Sequence, residues 1–166
     1  MDFLHDLAAW AWARHHNVLS WYVRPLFLIP FCYFAYRRSG AGIAVTLVAL
    51  ATSMFWFPAP QVASPAVLAA LEAERDYLLG EWNMGKLLVA LLVPLTFAAL
   101  ALAFWRRSYR WGVVVFNAMI LIKIVWTGVY FEPDAFLAHL LPALIGLAVC
   151  NLFFLWRLRK ARQQSR

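Results

Sequence analysis

Apolar residues run along this chain in long blocks separated by short polar links. Five blocks are long enough to cross a hydrocarbon core of about 30 Å, which takes roughly 20 apolar residues in a helix. They cover residues 17–36, 41–59, 87–105, 111–130 and 136–156. A backbone in lipid has to satisfy its own hydrogen bonds, so each block is expected to be helical. The links Arg37-Arg38-Ser39-Gly40 and Arg106-Arg107-Ser108-Tyr109-Arg110 are short and basic, and each predicts a tight antiparallel hairpin. The expected fold is an all-α integral membrane protein, a five-transmembrane-helix bundle forming a single domain over residues 1–166.

Two stretches outside the blocks have a mixed pattern. In the connection from 60 to 86, Ser64-Pro65 reads as an N-cap followed by proline at the first helical position, and Gly80 as a stop. Between them, Ala66 to Leu79 predicts a short amphipathic helix with Val67, Leu68, Leu71, Leu78 and Leu79 as its apolar part. Glu72, Glu74, Arg75 and Asp76 form its expected wet part, with the helix lying on the membrane surface. Residues 1–16 predict a second interfacial segment, with Phe3, Leu7 and Trp10 facing lipid. They lack a basic leader and a clear cleavage site, so no removed signal peptide is expected.

Composition agrees with this pattern. Hydrophobic residues make up 64% of the chain and charged residues 14%, against about 45–50% and about 25% in soluble domains. A soluble enzyme, a disordered tail and a collagen-like fibre are excluded. The net charge of +7 suggests nucleic acid until its placement is considered. Arg37, Arg38, Arg106, Arg107, Arg110 and the tail cations Arg157, Arg159, Lys160, Arg162 and Arg166 fall on one side of the predicted bundle. The acidic residues, with Arg14, Arg75 and Lys86, fall on the other. Lys and Arg near span ends mark the cytoplasmic side, which predicts the N-terminus outside and residues 157–166 as a cytoplasmic tail. Nucleic acid is not an expected partner; membrane lipids are. The expected location is a cell membrane, a bacterial inner membrane from the small size of the chain, with a further membrane protein or a second copy as a possible neighbour.

Few residues offer chemistry. Cys32 and Cys150 lie in apolar blocks without CxxC spacing, which argues against a disulfide framework or zinc knuckle. Trp10, Trp12, Trp21, Tyr22, Trp105, Tyr109, Trp111 and Trp156 fit interfacial aromatic belts. Arg24 and Lys123 break the apolar pattern, each about 10 Å below a predicted span end at 1.5 Å per residue. A charge near the bilayer centre costs at least about 2.5–3.5 kcal/mol and usually faces the bundle interior or a wet cavity. No predicted span carries a carboxylate, so both cations need counter-charge from the outer surface, from headgroups or from a bound anion. A cavity lined by Arg24 and Lys123, with Asn117, Trp126, His139 and Glu81 beside them, predicts binding or transport of a small anion or an anionic lipid headgroup. His15, His16 and His139 share the same side and are weak candidates for a metal or haem, although their spacing is no known ligand motif. No phosphate loop, Ser/His/Asp set or paired carboxylates occur within a span. The alternatives to a binding or transport protein are an accessory or assembly subunit of a larger membrane complex, and a metal- or haem-dependent membrane enzyme. The sequence names no cofactor.

Overall fold

The structure, a computed structural model, describes residues 2–130 and 132–164. Arg166, and the side chains of Asp2, Asp134 and Arg162, lie outside the described residues although they belong to the charge pattern above. Among the described residues there is no strand. The order is α1 (Asp2–His15), α2 (Leu19–Val23), a 3-10 turn (Arg24–Phe27), α3 (Leu28–Tyr36), α4 (Gly40–Thr52), α5 (Pro65–Leu79), α6 (Met84–Trp105), α7 (Tyr109–Tyr130) and α8 (Pro133–Gln164).

Three stretches are long and apolar enough to cross a membrane: α6, α7 and Ala135–Arg157 within α8. The first two apolar blocks are less regular than the sequence suggests. Pro25 has no amide proton to give the Trp21 carbonyl, and the helix tightens there into a 3-10 turn. The resulting segment Leu19–Tyr36 meets His5–His15 at a bend of 77°. The second block gives a helix of only 13 residues, followed by a 3-10 turn at Ser53–Phe55. Pro58 and Pro60 follow and bar a longer helix. The fifth block runs further than expected, through the basic tail to Gln164, since Arg, Lys, Ala and Gln all sustain a helix.

The two basic links share one geometry. Ser39 N–H bonds Phe34 O at 2.9 Å and Arg38 N–H bonds Ala35 O at 2.9 Å. Ser108 N–H bonds Ala103 O at 3.2 Å and Arg107 N–H bonds Phe104 O at 2.8 Å. Both are Schellman turns, and both put arginine in the left-handed region at φ 56°. Ser39 and Ser108 then accept from the backbone of the next helix, at Gly42 (3.2 Å) and Trp111 (3.3 Å). Arg38 Nε donates to Trp105 O at 3.1 Å, which ties the two turns together at one end, called here the basic end.

Towards that end the helices pack around Phe31, Cys32, Ala35, Leu100, Phe104, Phe116, Cys150 and Phe154. Asn117 and Asn151 face each other there, each donating its amide to the other's carbonyl at 3.0 Å. Each also donates to its own helix, at Val113 O (2.8 Å) and Leu147 O (3.0 Å). This reciprocal pair sets the α7–α8 register.

A second cluster lies near the opposite end and corrects the expectation for α5. That helix does not rest with Glu74 in water; Val67, Ala70 and Leu71 pack on Trp21 and on Ala135 of α8. Ser64 and Pro65 start α5 as expected, Ser64 Oγ accepting from Val67 N–H at 3.4 Å. The 3-10 turn is held from α8, where Gly146 leaves no space for a side chain against the Pro25 ring. Cys150 Sγ approaches Pro25 O at 3.6 Å. Gly146→Ala is therefore expected to lower stability by about 1–3 kcal/mol, the range for overpacking a filled core. A melting temperature in detergent equal to wild type would show that the α8–turn contact is not close-packed.

Candidate functional site

The site is assembled from six elements, α1, α2, the 3-10 turn, α5, α7 and α8, at the end away from the basic turns. Asn17 sets the first. Its Oδ1 accepts from Leu19 N–H at 3.0 Å while its Nδ2 donates to Pro58 O at 2.9 Å, so the chain turns sharply after α1. Arg14 fastens α1 to the same loop through Phe57 O at 3.3 Å and lies over the Trp10 ring. The turn brings buried His15 back against Arg24, where Arg24 Nη2 lies 3.1 Å from His15 Nδ1. A guanidinium has donors only, so Nδ1 must accept and the imidazole proton sits on Nε2. That nitrogen is 3.6 Å from Glu74 Oε2. Arg24, His15 and Glu74 thus form a directed chain from cation to anion.

Trp21 fixes the imidazoles on either side. Its Nε1 donates to His15 O at 3.2 Å. Its ring stacks on His139 of α8, with centroids 4.9 Å apart and planes 7° apart. His139 and Lys123 line one small cleft between α7 and α8, together with Ile124, Thr127, Phe136, Leu140 and Ala143. Lys123, Arg24 and Glu74 lie within electrostatic range of one another. Beyond this layer, Tyr77 packs edge-on against Trp126 at 5.4 Å and against Tyr130 at 6.4 Å. Lys86 Nζ sits 4.6 Å from the Tyr77 ring centroid and 5.0 Å from that of Trp82, and donates to Gly80 O at 3.1 Å. The Tyr77 hydroxyl is buried without a hydrogen-bond partner.

The structure therefore brings Arg24, Lys123 and His139 together, with Trp126 one helical turn beyond Lys123. Asn117 lies elsewhere, bonded to Asn151. Glu81 is exposed and meets Lys86 through its backbone carbonyl, at 3.5 Å. His15 is buried rather than solvated at an interface, and both its ring nitrogens face partners, so it has no free lone pair for a metal. His16 Nδ1 is 2.8 Å from Trp12 O. Among the described residues no three His, Cys, Asp or Glu side chains converge as a ligand set.

Glu74 was missed as a site residue, yet the signal was present. Val67, Ala70 and Leu71 continue to Glu74 and Tyr77 at helical spacing, so this carboxylate interrupts the apolar stripe of α5. Its acidity reflects that place. The His15 imidazole N–H turned towards it holds its carboxyl below the ordinary range, against the opposing effect of burial and with help from the nearby positive charges. Comparison with known proteins gives no match: no family model, curated protein or solved structure resembles the chain.

A carboxyl whose folded pKa is depressed stabilises the fold above its unfolded value, about 4.3 for Glu, and loses that contribution as pH falls through the folded value. Detergent-solubilised protein should thus lose thermal stability on acidification below about pH 4.3, and Glu74→Gln should flatten that limb. At neutral pH the same substitution should cost about 1–2 kcal/mol, the low end for hydrogen bonds to charged groups, because the Glu74 side chain is 37% exposed. An unchanged acid limb in Glu74→Gln would remove Glu74 from the network.

Proposed function

We propose that this chain is a multi-pass protein of a cell membrane, bacterial and inner, that binds or carries an anionic group in the layer of Lys123 and Arg24. The observation that carries the reading is a charge imbalance. Among the described side chains of the site, Arg24 and Lys123 face the single carboxylate of Glu74. Among those described groups one positive charge is left unbalanced in apolar surroundings, where desolvation is costly unless an anion joins it. Arg24 is committed to His15, so Lys123 on the cleft is the cation free to meet that anion. A small anion or the headgroup of an anionic lipid has the required charge.

The topology we propose has Leu19–Tyr36 and Gly40–Phe55 as two further crossings beside α6, α7 and α8, with the N-terminus outside. Its support is the meeting of both basic turns at one end. Arg38 and Arg107 occupy left-handed positions that favour glycine by about 1 kcal/mol. Retaining arginine at both suggests that charge at this end outweighs backbone comfort, as a cytoplasmic anchor requires.

Two measurements test these readings. Binding of inorganic phosphate and of phosphatidylglycerol in nanodiscs should weaken at least 10-fold in Lys123→Met and Arg24→Met. Arg24→Lys, which keeps the charge, controls for misfolding. Full binding by folded Lys123→Met sinks the anion reading. For topology, an impermeant maleimide on intact cells should label Gln61→Cys and Glu81→Cys. It should label Arg37→Cys and Arg106→Cys only after permeabilisation, and opposite sidedness of the two basic turns would overturn the five-crossing arrangement.

A further inference from the structure

Helix α7 carries a column of residues at helical spacing, Gly112, Phe116, Ile120, Lys123 and Thr127, that faces the bundle. Four of the five are buried, while Lys123 is exposed. The gap comes from α6. From Phe97 to Phe104 that helix contributes to the core around Phe31 and Phe116. From Leu87 to Leu95 every residue but Val89 is exposed, on all sides of the helix rather than on one lipid-facing side. Counting back from the turn that joins the antiparallel α6 and α7, about one residue against one, Lys123 stands level with about Leu91. The half of α6 away from the basic end therefore leaves the bundle at the height of the unbalanced cation. Pro94, which removes a hydrogen bond from the middle of α6, lies at that departure.

We infer that the space between the parted half of α6 and the α7–α8 pair is a lateral entrance from the bilayer, and that its occupant is an anionic glycerophospholipid with a singly charged headgroup at Lys123 and an acyl chain along Ala90 and Val93. The inference rests on the anion-binding reading above and names the ligand class for it. Charge sets the headgroup, because the described side chains of the site carry one positive charge in excess. The walls set the tail. On α6, Ala90 and Val93 continue the bundle-facing column of Phe97, Leu100 and Phe104 at helical spacing, and both are exposed and apolar. A free anion arriving this way would shed its water against a surface with nothing to replace it, whereas an amphiphile covers those walls with its own chain. The approach along the bundle axis is obstructed by Tyr77 against Trp126, with Lys86 over the Tyr77 ring.

Native mass spectrometry of the full chain, released from vesicles of phosphatidylglycerol and phosphatidylcholine, tests this. Wild type is expected to retain one phosphatidylglycerol in preference to phosphatidylcholine, and Lys123→Met to lose that preference. Val93→Trp fills the entrance at an exposed position and leaves every charged group in place; it is expected to weaken phosphatidylglycerol retention at least 10-fold. Leu88→Trp, on the same exposed stretch but nearer the helix end, should retain the lipid as wild type does. If Lys123→Met loses the lipid while Val93→Trp keeps it, the anion reading survives and the lateral entrance falls. Displacement of the lipid by millimolar inorganic phosphate would identify a soluble anion as occupant and overturn the inference. So would a second copy of the chain retained in place of lipid.

Discussion

The structure near its non-basic end depends on one constraint: a cation drawn into an apolar bundle has to be answered by charge within a few ångströms. Arg24 meets that requirement through His15, whose imidazole accepts from the guanidinium and turns its proton towards Glu74. The broken first apolar block follows from this. A straight helix from Asn17 would carry His15 away from Arg24. The bend at Asn17 and the 3-10 turn at Pro25 return His15, Trp21 and Arg24 to one place. Helix α5 is then drawn inward, since Glu74 has to reach the same point, and Val67, Ala70 and Leu71 find cover against Trp21 and α8 as it does so.

The two ends of the molecule differ in how they are built. At the basic end, matching Schellman turns, serine caps and an aromatic core hold α3, α4, α6, α7 and α8 in close contact. The Asn117–Asn151 pair closes that region with four hydrogen bonds, each amide satisfied across the interface and along its own helix. Such a pair tolerates neither a shift in register nor a polar ligand in its place, which is why Asn117 serves architecture here. At the other end the packing is looser and more polar. The cleft at Lys123, the aromatic layer of Tyr77, Trp126 and Tyr130, and the parted half of α6 all occur there. Rigid packing at one end and an accessible charge layer at the other fit the ligand-binding role we propose.

Much of this was legible in the residues. Helical character, the two hairpins, the start of α5 at Ser64-Pro65 and the unusual status of Arg24 and Lys123 all follow from local rules: block length, capping chemistry and the cost of a charge among apolar neighbours. Glu74 was readable but misread. It was grouped with Glu72, Arg75 and Asp76 by charge, although its spacing from Val67, Ala70 and Leu71 put it on the apolar stripe. The interruptions in the first two blocks were less visible, because hydropathy sums over a window and does not register a proline that loosens one turn.

What the sequence determined by itself, then, is the list of helices, their hairpin partners and the presence of two cations that no neighbour along the chain could balance. Those properties are local, set within a turn or two of each residue. The tertiary structure alone decided that Glu74 and His15 answer Arg24, that Asn117 pairs with Asn151, and that the first half of α6 stays exposed at the height of Lys123. Each of these depends on the angle at which separate helices meet, and that angle comes from contacts such as Gly146 on Pro25 between residues far apart in the chain.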